Sequence, residues 1–284
     1  MLDIDKSVSA LSRGLAGLVG GAKFAQVVAV ALAAGAYESA FGCQFEKRMR
    51  MSDQVRYQKL DAELERIYRE IQSLRINQHI FWEVQTIIRR NPDLHKPSSF
   101  YSWMGNMYAA AMSASVRRLV DRRKDTVSFV RLLEQVKRYP DLLSRVEYRS
   151  RCANPNLPQG YMDKDYDRLV GEGRKQPEPH TIDDEIRKLV DRTTRLKEFV
   201  DTHVAHLAAD PAKELPTFQE LDDAIDCLEE LLKRYLRLFR GVSLTSALPT
   251  WQYDWQEIFH YRWITDDNVT QLGAINAALP NDGR

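Results

Sequence analysis

Leu60-Asp-Ala-Glu-Leu-Glu-Arg-Ile-Tyr-Arg-Glu-Ile-Gln-Ser-Leu74 places apolar residues at 60, 64, 67, 71 and 74. Steps of four and three return to one face of a helix, whereas a strand would scatter these positions over both faces of a sheet. The seam continues through Phe81, Val84 and Ile88, so the spacing predicts one long amphipathic helix from Tyr57 onward. It ends at Asn91-Pro92, because proline disfavours helical geometry in the residue before it.

The rest of the chain repeats the same grammar. Ser98 or Ser99 caps a helix running from Phe100 through Met104, Met107 and Met112 to Val120. A shorter helix follows Thr126 or Ser128 and carries Phe129, Leu132, Leu133 and Val136. Between Arg145 and His180 the periodicity dissolves into Pro- and Gly-rich sequence, which reads as a long loop with one helical turn. Thr181 with Asp184 caps the next helix, whose seam is Ile186, Leu189, Thr193, Leu196, Val200, His203 and Leu207. Thr217-Phe-Gln-Glu220 is a capping box for a last long helix, closed by Gly241. The aromatic-dense segment Trp251 to Trp263 is expected to fold back on the bundle. No alternating pattern appears anywhere, so the fold class is all-α: a bundle of five to six helices with a long loop before the histidine-bearing one.

Composition narrows the functions. Hydrophobic residues are 44%, charged residues 29%, and the formal net charge is +1, so no global field for nucleic acid exists and any such contact needs a local patch. Cys43, Cys152 and Cys227 are scattered and odd in number, which argues against a disulfide framework and suits a cytoplasmic location. The histidines lack carboxylate or cysteine companions at coordinating spacing, so neither a metal nor another cofactor is expected. The phosphate-binding glycine loop, the nucleophile elbow and the zincin motif are all absent from the sequence.

Residues 1–50 differ from the remainder. From Leu15 to Gly42 the chain is rich in Gly, Ala and Val, but the apolar run falls short of the ~20 residues a spanning helix needs. A weak membrane-peripheral segment, a signal segment and a non-native extension ahead of Met51 all fit, and no stable transmembrane anchor is expected. The organisation that follows is an extension over 1–50, a helical domain over 51–265 and a flexible tail over 266–284.

The chemistry-bearing stretch is Arg195-Leu-Lys-Glu-Phe-Val-Asp-Thr-His-Val-Ala-His206. His203 falls on the apolar seam and is expected to be buried or at an interface; His206 shares a neighbouring stripe with Arg192, Arg195 and Phe199. Two histidines one turn apart form either a satisfied polar core or an acid–base pair. A second cluster, Val116-Arg-Arg-Leu-Val-Asp-Arg-Arg-Lys-Asp125, is either an ion-paired helix end or a phosphate-reading face.

Taken in order, several pieces resemble the HEPN superfamily, and within it the abortive-infection type U branch of bacterial defence proteins. They are Phe81-Trp82, Arg117-Arg-Leu-Val-Asp121 leading into Thr126-Val-Ser-Phe-Val-Arg-Leu-Leu133, and Val204-Ala-His206. Thr217-Phe-Gln-Glu-Leu221 with Tyr235, and Trp255-Gln-Glu-Ile-Phe259 with Trp263, complete the set. The likeness covers about residues 51–265. It implies a helical bundle that commonly forms a homodimer, and often a metal-independent endoribonuclease of antiphage defence. The alternative is a catalytically inactive HEPN module that binds RNA or a partner protein encoded nearby, in a defence or toxin–antitoxin system.

In that family an arginine is followed, after about four to six intervening residues, by a histidine. The histidine moves a proton at the ribose 2′-hydroxyl or the leaving oxygen, and the arginine stabilises charge on the phosphate. The resemblance thus makes His206 the acid–base group, aided by His203. The window for the arginine, however, holds Phe199, Val200 and Asp201, with Val200 where relatives look to carry arginine. Arg195 lies eleven residues before His206, about 16 Å of helix rise, and eight before His203, about 12 Å. The cation must come from Arg195 or from elsewhere, with Arg117 or Arg118 as the obvious source. Arg118, Arg122 and Lys197 are the expected RNA contacts.

Overall fold

A computed structural model describes residues 51–153, 156–205, 214–261 and 263. They contain seven α-helices and no strand: α1 (Met51–Arg90), α2 (Ser99–Leu119), α3 (Phe129–Arg138), α4 (Arg145–Cys152), α5 (Tyr161–Val170), α6 (Pro179–Phe199) and α7 (Phe218–Arg240). A π-helical turn, Val200–Val204, extends α6. The proposed extension over 1–50 and the tail over 266–284 lie outside the described residues.

The seam of α1 is buried as its spacing requires, with Leu60, Leu64, Ile67, Ile71, Leu74 and Phe81 all inside. Removing each such side chain from water contributes roughly 1.5–3 kcal/mol. α7 is the central element, with twelve buried residues along its length against α1, α6 and α2. It begins at the complete capping box of Thr217 and Glu220. It ends at Gly241, where φ is +66° and an added Cβ would lie 2.8 Å from the Cys152 Sγ. Glycine is therefore required there for conformation and for space. Ser98 and Ser128 cap α2 and α3.

Two sequence expectations are corrected. The segment from Arg145 to His180 is not a loop with one turn, since it contains both α4 and α5. These short helices are held by distant side chains. Arg145 donates to Asp163 and Asp167, and the buried Tyr148 hydroxyl donates to Asp165 at 2.5 Å. α6 starts two residues before Thr181, with Pro179 in its first turn, where the missing N–H costs nothing.

The segment after α7 returns to the bundle as its aromatic content suggests. The Ala247 N–H and the Ser246 hydroxyl donate to buried Glu229, and Trp251 stacks on His79 with centroids 5.8 Å apart. Among the described residues no helix is long and apolar enough to cross a membrane.

Candidate functional site

The C-terminal end of α2 and the last turns of α6 are neighbours, and a groove of about 450 Å³ opens between them. That size falls within the range of small-ligand clefts. Its lining includes Arg117, Arg122, Arg123 and Lys197, over a floor of Val120, Val190 and Thr193. Arg117 Nε donates to Asp201 Oδ1 at 2.5 Å, and Lys197 Nζ donates to the other carboxylate oxygen at 2.7 Å. Partial burial pushes the Asp201 carboxyl up, but the bonds from Lys197 and Arg117 outweigh it and hold the group below its usual range. On the opposite lip Asp121 caps the Arg123 backbone N–H and takes the Arg123 side chain, both at 2.9 Å. Four cations thus face two carboxylates, an excess of two positive charges, and Arg122 makes no ion pair among the described residues.

The groove gathers Arg117, Arg122 and Lys197, whereas Arg118, Arg195 and His203 are not part of its lining. Arg118 turns to the far side of α2, where it pairs with Glu70 and donates to the Ser115 hydroxyl at 2.9 Å. Arg195 points to the start of α7, where it pairs with Glu220 and donates to the Leu215 carbonyl at 3.0 Å. It is a clamp on the segment entering α7. His206 lies outside the described residues.

His203 departs from its seam. It is exposed, its Nδ1 lies 2.8 Å from the Thr202 hydroxyl, and its ring stacks on Phe199 at 5.5 Å. The cause is the π-turn, closed by the Ala205 N–H donating to the Val200 carbonyl at 2.7 Å. A π-turn takes an extra residue to complete its circuit, so the third position after buried Val200 stops short of the core. Val200 itself keeps its place on the α-helical seam, 4% exposed, so the position where the resemblance looks for arginine faces the core rather than the groove. Asp201 is the residue bound to the groove's cations that motif spacing alone passes over. Its readable signal is the i,i+4 distance from Lys197, which places the two on one helix face.

A family model described as AbiU2, of the HEPN group, matches residues 57–259. The chain belongs to the AbiU2 family of HEPN proteins. No curated protein and no solved structure matches it. The matched span takes in every described helix except the first turns of α1, and it includes the whole groove. Among the described residues no three His, Cys, Asp or Glu side chains are placed to hold a metal ion. The groove offers guanidinium and ammonium groups of the kind that bind a phosphate, and the exposed His203 follows Asp201 by two residues along the chain.

Proposed function

We propose that this AbiU2-family chain acts in abortive infection as a metal-independent endoribonuclease, with the α2–α6 groove as its phosphodiester site. One observation carries the reading. Asp201 stands five residues before His206, within the family's arginine window, and the Arg117 guanidinium is bound to it. The cation missing from α6 is supplied by α2, across a separation of 84 residues in sequence. Arg117 and Lys197 would bind the scissile phosphate, exchanging the Asp201 carboxylate for phosphate oxygens. His206, with His203 beside it, would take the 2′-hydroxyl proton and return a proton to the departing 5′-oxygen. The products are a 2′,3′-cyclic phosphate and a free 5′-hydroxyl. Arg195 has no part in this, because its partners hold it at the start of α7.

The test is cleavage of total RNA and of tRNA by the purified protein in EDTA, with end-group analysis for the cyclic phosphate. Arg117→Ala and His206→Ala are each expected to lower the rate by about a hundredfold or more, the scale for losing an electrostatic or acid–base group. Arg192→Ala should not, since Arg192 pairs with Asp223 on the outer face of α6. A second reading is favoured by Asp201 itself, whose carboxylate already neutralises the cations a phosphate needs. It is a silent module that binds RNA without cutting it. Folded protein that cleaves no RNA, yet binds RNA in an Arg117-dependent manner, selects that reading. Cleavage that survives His206→Ala overturns the first.

A further inference from the structure

Arg131 stands where two depressions meet. On one side is the lip of the α2–α6 groove: Arg131 Nη1 donates to the Arg123 carbonyl at 2.8 Å, and Arg123 belongs to the groove lining. On the other side Arg131 lines a separate pocket of about 330 Å³, between α3 and the N-terminal turns of α1.

The charges of this pocket favour an anion. Arg56, Lys59 and Arg131 line it against one carboxylate, Glu63. Glu63 offsets Lys59, whose ammonium is 4.0 Å away, and Asp53 takes Arg56 from the edge at 2.8 Å. Arg131 has no carboxylate partner among the described residues, where the Arg123 carbonyl is the one acceptor its side chain meets. A guanidinium carries five N–H donors in a planar fork, so most of this one is left for a ligand. The Arg56 guanidinium lies 3.9 Å from the centroid of the Tyr139 ring, a cation–π contact that fixes it against the back of the pocket. Val55 and Tyr139 add an apolar wall. Cations converging from two helices beside an apolar wall suit a phosphate group with an organic body, and the volume lies at the small end of ligand clefts. We infer that the α1–α3 pocket binds a small phosphate-bearing ligand of nucleotide size through Arg56, Lys59 and Arg131, and that its occupancy weakens the grip of the groove on RNA.

The link runs through the loop between α2 and α3. The Arg123 carbonyl accepts from Arg131 and from the Thr126 hydroxyl, at 2.8 and 2.9 Å, while Asp121 holds the Arg123 side chain. A phosphate that claims Arg131 takes one of these bonds from the loop that carries Arg122 and Arg123. It also sets negative charge beside the lip. Both effects oppose RNA at the groove. The binding half of the inference stands apart from the nuclease reading, whereas the coupling rests on the groove as an RNA site.

The probes are pyrophosphate and ADP, titrated by calorimetry into the full chain at low salt. The titrated proteins carry Arg117→Ala, which reduces the groove's own claim on the probes. Both probes should bind, and adenosine, which has no phosphate, should not. Lys59→Gln should weaken both by about fivefold, the scale for removing a unit charge at ~4 Å in water-like surroundings. The Lys59 side chain is 76% exposed, so this loss does not act through folding. Adding Arg131→Gln should weaken them further with the circular dichroism unchanged. With the groove intact, the pyrophosphate concentration that halves RNA retention on a filter should rise by about the same factor in Lys59→Gln. Failure of both probes to bind overturns the inference, and so does binding indifferent to Lys59→Gln and Arg131→Gln. Lys59-dependent binding of a short RNA but of neither probe also overturns it, and makes the pocket a continuation of the groove. RNA retention indifferent to bound pyrophosphate overturns the coupling. Lys59-dependent binding of the probes by a protein that binds no RNA leaves the pocket standing and the groove reading fallen.

Discussion

Arg237–Asp165 and Arg117–Asp201 use the same two side-chain types and serve opposite ends. In the first, both guanidinium nitrogens of a two-pronged contact reach one carboxylate, at 2.5 and 2.8 Å, and the Tyr148 hydroxyl adds a third bond. Asp165 is 3% exposed and ties α5 to α7 and α4. Burial, followed by the bond to Asp165, pushes the Tyr148 phenol well above its ordinary range, so that hydroxyl remains a donor at every physiological pH. In the second cluster the carboxylate is about a third exposed and shared between an arginine and a lysine at the edge of an open groove. A pair enclosed by protein holds helices together. A pair at a groove holds cations in position and can exchange its carboxylate for another anion. Access to solvent, rather than residue type, separates the enclosed cluster from the one at the groove.

The largest effect that bears on this contrast belongs to the enclosed cluster. Asp165→Ala leaves Arg237 and Tyr148 without their acceptor, and breaking a buried pair in this way costs about 3–5 kcal/mol. Urea denaturation followed by circular dichroism measures it. If Asp165→Ala costs no more than Asp201→Ala, burial is not what distinguishes the two clusters. Next in size is the effect of Asp201→Asn on binding. Removing the carboxylate frees Arg117 and Lys197, and a unit charge at about 4 Å in water-like surroundings is worth ~1 kcal/mol, or about fivefold in affinity. RNA binding by filter retention at low salt should tighten by that factor in Asp201→Asn and weaken in Arg117→Ala. Equal affinity in Asp201→Asn and wild type would mean that Asp201 does not compete with phosphate, and the groove would lose its distinction from a structural ion pair.

What the sequence discloses follows from the range of the forces involved. The seam of α1 and the capping box of α7 are local patterns, so periodicity and cap chemistry suffice to read them. α4 and α5 are not readable in this way. Each has at most ten residues, and what fixes them are bonds such as Tyr148 to Asp165 and Arg145 to Asp167, which link separate helices. At the groove, Lys197 and Asp201 share a helix and their spacing is visible. Arg117 reaches Asp201 from another helix, and only the packing of α2 on α6 brings them together. His203 is misplaced by the seam because nothing in Val200-Asp-Thr-His-Val204 announces a π-turn. The extra residue of that turn carries His203 off the seam.

The smallest expected effect is the pH dependence of the groove pair, and its sign is fixed. Asp201 has a carboxyl held below its usual range in the folded protein by Lys197 and Arg117. In the unfolded chain it titrates near the ordinary value of about 3.9. A depressed carboxylate stabilises the fold above its unfolded value, and that contribution disappears as pH falls through the folded value. Wild type should therefore exceed Asp201→Asn in stability at neutral pH by no more than about 1 kcal/mol, because the pair is partly solvated. The difference should shrink below about pH 4 and vanish once the carboxyl is protonated in both states. Urea midpoints of the two proteins across that range provide the measurement. A constant difference down to the lowest pH would trace the stabilisation to packing or to a neutral hydrogen bond. A difference that grows on acidification would reverse the linkage and remove Lys197 and Arg117 as its cause.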